Sequence, residues 1–99
     1  MTRPARLPQQ EVDQALAGDL SGWHQDGDAI SREVQAPSFL AGISLVQRVA
    51  EAAEAADHHP DIDIRYTTLR FTLSTHSEGG LTALDLDLAS TIDGLVADL

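Results

Sequence analysis

The sequence predicts an α+β fold, an antiparallel sheet with helices packed on one of its faces. Three observations carry this expectation. Apolar residues recur at helical spacing in three separate segments, an Asp-Gly turn divides two short runs near residue 26, and residues 62–76 alternate as a strand does. The resulting order is helix, two strands, helix, one or two strands, helix.

Each element has its own signature. Residues 1–7 read as a flexible N-terminal arm ahead of a single domain over 8–99. In "PQQEVDQALA", from Pro8 to Ala17, Val12 and Leu16 fall four apart, and Gly18 closes a short helix. Asp26-Gly27 supplies a hairpin turn, with Ile30 and Val34 alternating behind it. Pro37 and Ser38 open a second helix whose stripe is Phe39, Ile43, Val46 and Ala50, with Leu40 and Val49 beside it. Pro60 is expected to end that helix, leaving His58 and His59 at its C-terminal end, where an imidazolium also suits the dipole. Beyond it, Ile62, Ile64 and Tyr66 share one parity and Leu69, Phe71 and Leu73 the other, which a break near Tyr66–Thr68 reconciles. Thr72, Ser74 and His76 face away from the apolar side, so His76 is expected to end a strand beside the "SEGG" loop. The last helix opens at Thr82 with a capping box to Asp85. Leu84, Leu88, Ile92, Leu95 and Leu99 form its apolar side, and its aspartates read as a solvated face.

Composition narrows the function. A chain of 99 residues is one domain, being shorter than the roughly 150 residues typical of a single core. The formal net charge of −10 repels nucleic-acid phosphates and anionic membranes, so direct binding to either is not expected. Cysteine is absent, which removes disulfides and thiolate chemistry. "MTRPARLPQQ" lacks the apolar run of a signal peptide, and no segment nears a membrane span, so a cytoplasmic location is expected. Trp23, Phe39, Tyr66 and Phe71 are the only aromatics, leaving an aliphatic core that gains from burying further surface in an oligomer.

The chemistry gathers at "AEAADHHPDID", residues 53–63, where a helix ending carries more imidazole than structure requires. His58, His59 and His76 all lie at ends of elements, and histidine suits proton transfer near neutral pH. Glu54, four residues before His58, shares a helix face with it and is expected to orient its ring. Adjacent histidines on a breaking helix do not aim at one ion, so no metal is expected.

In order, the run is Glu54, His58-His59-Pro60, Tyr66, His76 and Asp85, within "DHHPDIDIRY", "TLSTH" and "GGLTALD". This set resembles the signature of the pterin-4a-carbinolamine dehydratase family and covers the chain from about Glu54 to Asp85. The resemblance implies four antiparallel strands and three helices in the order α-β-β-α-β-β-α, assembled as a homodimer or homotetramer. It implies dehydration of a 4a-hydroxytetrahydropterin to the quinonoid dihydropterin and water, in tetrahydropterin recycling, without metal or redox cofactor. It further implies His58 and His76 as an acid–base pair, with His59 in binding and charge stabilisation. The pterin ring would lie between Asp57, His58 and His59 on one side and the strand end Ser74, Thr75 and Ser77 on the other. Pro60 would shape the wall, and Glu54 and Asp85 would support.

Two alternatives stay open. One is a non-catalytic dimerisation or assembly module of the same family. The other is a dehydratase for a different pterin, as in a molybdopterin pathway. One departure bears on substrate choice: many family members carry aromatics after His-His-Pro, where this chain has Asp61-Ile62-Asp63-Ile64.

Overall fold

The computed structural model describes residues 4–99. Its elements are α1 (Gln9–Ala17), β1 (His24–Asp26), β2 (Ala29–Gln35), α2 (Phe39–Ala56), β3 (Asp61–Arg65), β4 (Thr68–Leu73) and α3 (Ala83–Val96), with one 3-10 turn at His76–Glu78. The strands form one antiparallel sheet in the order β1-β2-β4-β3. The α+β class and the order α-β-β-α-β-β-α are as the sequence indicates.

Two tight turns make the hairpins. Gly27, at φ 63°, takes the left-handed conformation that lets β1 fold back on β2. Between β3 and β4 the break expected near Tyr66–Thr68 is a turn through Tyr66 and Thr67, with Arg65 paired to Thr68. Tyr66 sits there at φ 52°, unusual for a bulky side chain, and its ring stacks on Phe39 at 6.4 Å between centroids.

The register places the inner face of the sheet. Ile30 pairs with Leu73, Arg32 with Phe71 and Val34 with Leu69, all pointing toward the helices. Of these, Ile30, Val34, Leu69, Phe71 and Leu73 join Leu45 and Val49 of α2 and Leu88 and Ile92 of α3 in one core. The opposite face carries Glu33, Arg70 and Asp63 across three strands, and these three side chains are exposed.

Two expectations change. The buried side of α2 is Gly42, Leu45, Val49 and Ala53, whereas Phe39 and Ile43 of the expected stripe remain 47% and 36% exposed. Apolar residues surround more than half of this helix, so hydrophobicity alone does not choose a face. Close approach does: a Cβ on Gly42 would meet Ala36 Cβ at 3.4 Å and a Leu69 methyl at 3.6 Å. Leu99, likewise assigned to the apolar side of α3, lies past the helix and is 45% exposed.

The aspartates of α3 are not uniformly solvated either. Asp85 is fully buried, and Asp93 is part-buried, accepting a hydrogen bond from the Trp23 indole at 2.8 Å and pairing with Arg32. Arg32 lies on the core face between Ile30 and Val34, so its guanidinium needs a carboxylate there. That pair ties β2 to α3. Asp93→Ala leaves both donors without their acceptor and should lower the free energy of unfolding by about 2 kcal/mol, read from urea denaturation.

Candidate active site

The end of α2 sets the site. Asp57 adopts the left-handed conformation, φ 49° and ψ 43°, so its amide bonds Glu54 O at 3.2 Å and the His58 amide bonds Ala53 O at 3.1 Å. This is a Schellman-type cap, and Asp tolerates the left-handed region better than most residues. The helix therefore stops at Ala56 because of Asp57, three residues before the proline expected to stop it. His58 and His59 follow the cap instead of fraying from the last turn, and the reversal turns them in different directions.

His58 turns inward and is nearly buried. Its Nε2 lies 2.6 Å from Asp85 Oδ1. His59 stays exposed and its Nε2 pairs with Glu54 Oε2. Glu54 was expected on His58. The cap moves His58 off the helix surface, and His59 takes its place beside the carboxylate. Such an exposed pair contributes little stability, but it biases the ring's orientation.

Asp85 lies behind His58 and has no solvent exposure. Its Oδ2 accepts from the Thr82 amide at 2.9 Å, completing the expected capping box, and from the Thr75 hydroxyl at 2.7 Å. With His58 on Oδ1, both carboxylate oxygens are occupied. Asp85 takes two donors on Oδ2 and so serves as the acceptor of this cluster, with His58 Nε2–H donating to Oδ1. Nδ1 is then the ring nitrogen left for exchange with another molecule.

The opposite wall departs from a simple strand end. β4 stops at Leu73, and His76 opens the 3-10 turn beyond it, because Thr75 and Gly80 pair as an isolated bridge and close the loop between them. The bridge uses the Thr75 amide, 2.9 Å from Gly80 O, while its carbonyl accepts from Glu78 and Gly80. Ser74 Oγ donates to Asp28 O at 2.9 Å, anchoring the loop to the β1–β2 turn. The His76 side chain is exposed, and among the described residues its ring has no hydrogen-bond partner.

These segments enclose a cavity of about 310 Å³ lined by Asp57, His58, His59 and the run 74–77, with Pro4 and Leu84 completing it. The structure thus brings together all three histidines. Pro60 and Glu54 lie outside the lining, and Asp85 acts from behind it. Pro4 and Leu84 were missed. Leu84 belongs to the apolar spacing of α3, and its place beside the cap residue Thr82 was the available signal. Pro4 falls in the segment read as an arm, whose end runs along the domain: the Leu7 amide donates to Leu81 O at 2.8 Å. Among the described residues, no three His, Asp or Glu side chains are grouped to hold a metal ion. No helix there is long and apolar enough to cross a membrane.

Comparison with known proteins gives consistent matches. The family model described as "Pterin 4 alpha carbinolamine dehydratase" matches residues 5–95. A protein of Nocardia farcinica named "Putative pterin-4-alpha-carbinolamine dehydratase" is 62% identical over 89 residues, covering 90% of this chain and 93% of its own. A Mycobacteroides abscessus protein of the same name is 56% identical over 89 residues, covering 90% and 94%. Among solved structures, a transcriptional coactivator/pterin dehydratase from Brucella melitensis superimposes with a TM-score of 0.87 at 33% identity, covering 92% of this chain and 98% of that one. A pterin dehydratase-like protein identified as a RuBisCO assembly factor in the alpha-carboxysome has a TM-score of 0.62 at 17% identity, covering 75% and 86%, and shares the fold.

Asparagine at position 85 can keep the Thr75 hydroxyl and the Thr82 amide on its single oxygen only by turning its amide toward His58, which must then give up the Nε2–H tautomer or meet another donor. Asp85→Asn should therefore lower stability by about 1–3 kcal/mol, measured by chemical denaturation.

Proposed function

Since the chain belongs to the pterin 4 alpha carbinolamine dehydratase family, we propose that it dehydrates a 4a-hydroxytetrahydropterin, as a cytoplasmic step in tetrahydropterin recycling. The observation that carries this reading is the convergence of three imidazoles, each in a different hydrogen-bonding state, on one open cavity.

The reaction asks for such a set. The C4a–O bond breaks, the oxygen leaves as water after gaining a proton, and N5 loses its proton as the N5=C4a double bond forms. One proton is delivered and one removed, so the enzyme ends as it began. Two histidines on opposite walls can do this, and such acid–base help is worth about 10²–10⁴-fold. His58, held at Nε2 by Asp85, presents Nδ1. His76, on the facing loop, keeps both ring nitrogens for the substrate. His59 with Glu54 lies beside them, placed to bind the ring and stabilise charge. Asp57, Ser74 and Ser77 form the polar rim, where a pterin edge finds both donors and acceptors. The Thr75 backbone is taken up by its bridge and its buried hydroxyl by Asp85, so Thr75 lines the cavity without offering the pterin a free polar group.

Self-association forms part of the same proposal. Phe39, Leu40, Ile43, Ile64 and Tyr66 are exposed apolar residues on α2 and the β3–β4 hairpin, a large apolar surface for so small a domain. Its occupant is a second copy of this chain, in a homodimer or homotetramer, because burying such a surface supplements a thin core.

Two outcomes test the proposal. With freshly generated 4a-hydroxytetrahydropterin, the wild type should accelerate dehydration over the spontaneous rate, and His58→Ala and His76→Ala should each reduce turnover at least ten-fold while staying folded. Full activity in both variants overturns the assignment. In sedimentation, the wild type should exceed the mass of a 10.6 kDa protomer, and Ile43→Asp should shift it toward that mass.

A further inference from the structure

The hydrogen bonds around Asp85 all converge on its carboxylate. The Leu84 amide donates to Thr82 Oγ1 at 3.2 Å, so that hydroxyl is an acceptor on one side. Thr82 Oγ1 and Thr75 Oγ1 lie 2.8 Å apart. Thr75 Oγ1 lies 2.7 Å from Asp85 Oδ2, and a carboxylate oxygen can only accept. Each hydroxyl has one proton. Thr75 therefore spends its proton on Asp85 and accepts that of Thr82.

The chain thus runs from the Leu84 amide through the Thr82 and Thr75 hydroxyls into the Asp85 carboxylate, onto which the His58 ring donates from the other side. Both threonines are buried, at 4% and 0% exposure, and no buried side-chain polar atom among the described residues lacks a partner. The capping box explains the Thr82–Asp85 contacts without Thr75. Helix capping does not call for a second hydroxyl arriving from the β4 loop, next in sequence to His76.

We propose that Thr75 is a positioning residue for the dehydration, acting through Asp85 on His58. Its hydroxyl fixes the rotation of the Asp85 carboxylate by holding Oδ2, which aims Oδ1 at His58 Nε2 and keeps the ring in the Nε2–H tautomer. Nδ1 is then presented to the substrate in one orientation. Because Thr75 directly precedes His76, one backbone segment sets the distance between the two proposed proton-transfer groups. The side chain of Thr75 secures one of them and its main-chain bridge to Gly80 places the other. This rests on the reading of the cavity as a dehydratase site.

The test compares Thr75→Val, which keeps the shape and loses the hydroxyl, with Thr75→Ser, which keeps the hydroxyl and loses the methyl. Nitrogen-15 NMR of the histidine rings in the free protein reports the tautomer of His58 without any substrate. Wild type and Thr75→Ser should show His58 as the Nε2–H form with a slowly exchanging ring proton. Thr75→Val should show fast exchange and a mixed tautomer, with kcat lowered about ten-fold and KM changed less than two-fold. A wild-type His58 signal and kcat in Thr75→Val overturn the proposal. If Thr75→Val does not fold, loss of the signal in folded Thr75→Ser overturns it as well, because packing of the methyl would then be what matters. If the tautomer responds as expected while the wild type fails to accelerate dehydration, the substrate assignment falls and the positioning of His58 stands.

Discussion

The buried carboxylate of Asp85 is the constraint on which the site depends. A carboxylate without solvent exposure costs several kcal/mol of lost hydration unless its oxygens are satisfied. Here the three donors come from three places: the turn after α2, the loop after β4, and the start of α3. Meeting the needs of one side chain therefore joins three segments distant in sequence at one point. The wall of the candidate site and the helix cap are one structure. A scaffold needing only a capped helix could have placed its aspartate in water.

The two carboxylate–histidine pairs differ in burial, and that difference orders their roles. His58–Asp85 lies in the interior, where few rotamers are available and a hydrogen bond specifies geometry. His59–Glu54 lies in water, where competing solvent weakens the pair and leaves the ring adjustable. His76 has no such partner among the described residues. A fixed ring, an adjustable ring and a free ring can serve one substrate in three ways, which three equivalent surface histidines could not.

Much of this was legible in the sequence, and the failures have physical causes. The Asp-Gly turn, the parity change near Tyr66 and the Thr82–Asp85 capping box are local patterns, and each appears where local chemistry puts it. The histidine set was legible because its spacing is distinctive. The partner of His58 was misread because helical spacing assumes that the helix continues, whereas one left-handed residue at Asp57 ends it. The Asp93 pairing was readable in principle: Ile30 and Val34 leave Arg32 on the core face, and a part-buried guanidinium calls for an acid. Which of the available acids answers is a tertiary matter.

The two apolar sides of α2 join the fold to its proposed assembly. One side is chosen by the close approach at Gly42, and the other, with Phe39, Leu40 and Ile43, is left facing water. Tyr66 is held against that second side in a backbone conformation that its bulk disfavours, stacked on Phe39 although 76% exposed. A solitary domain gains little from spending strain on a ring that stays wet. Within a self-associated form, the same stacked pair becomes interior packing, and the strain is offset by the surface it helps to bury. The neighbouring edge strand β3 exposes Asp61, Asp63 and Arg65, charges that oppose indiscriminate strand pairing. In the proposed assembly, apolar contact through α2 and charged selection along β3 would together favour a defined oligomer over open-ended aggregation.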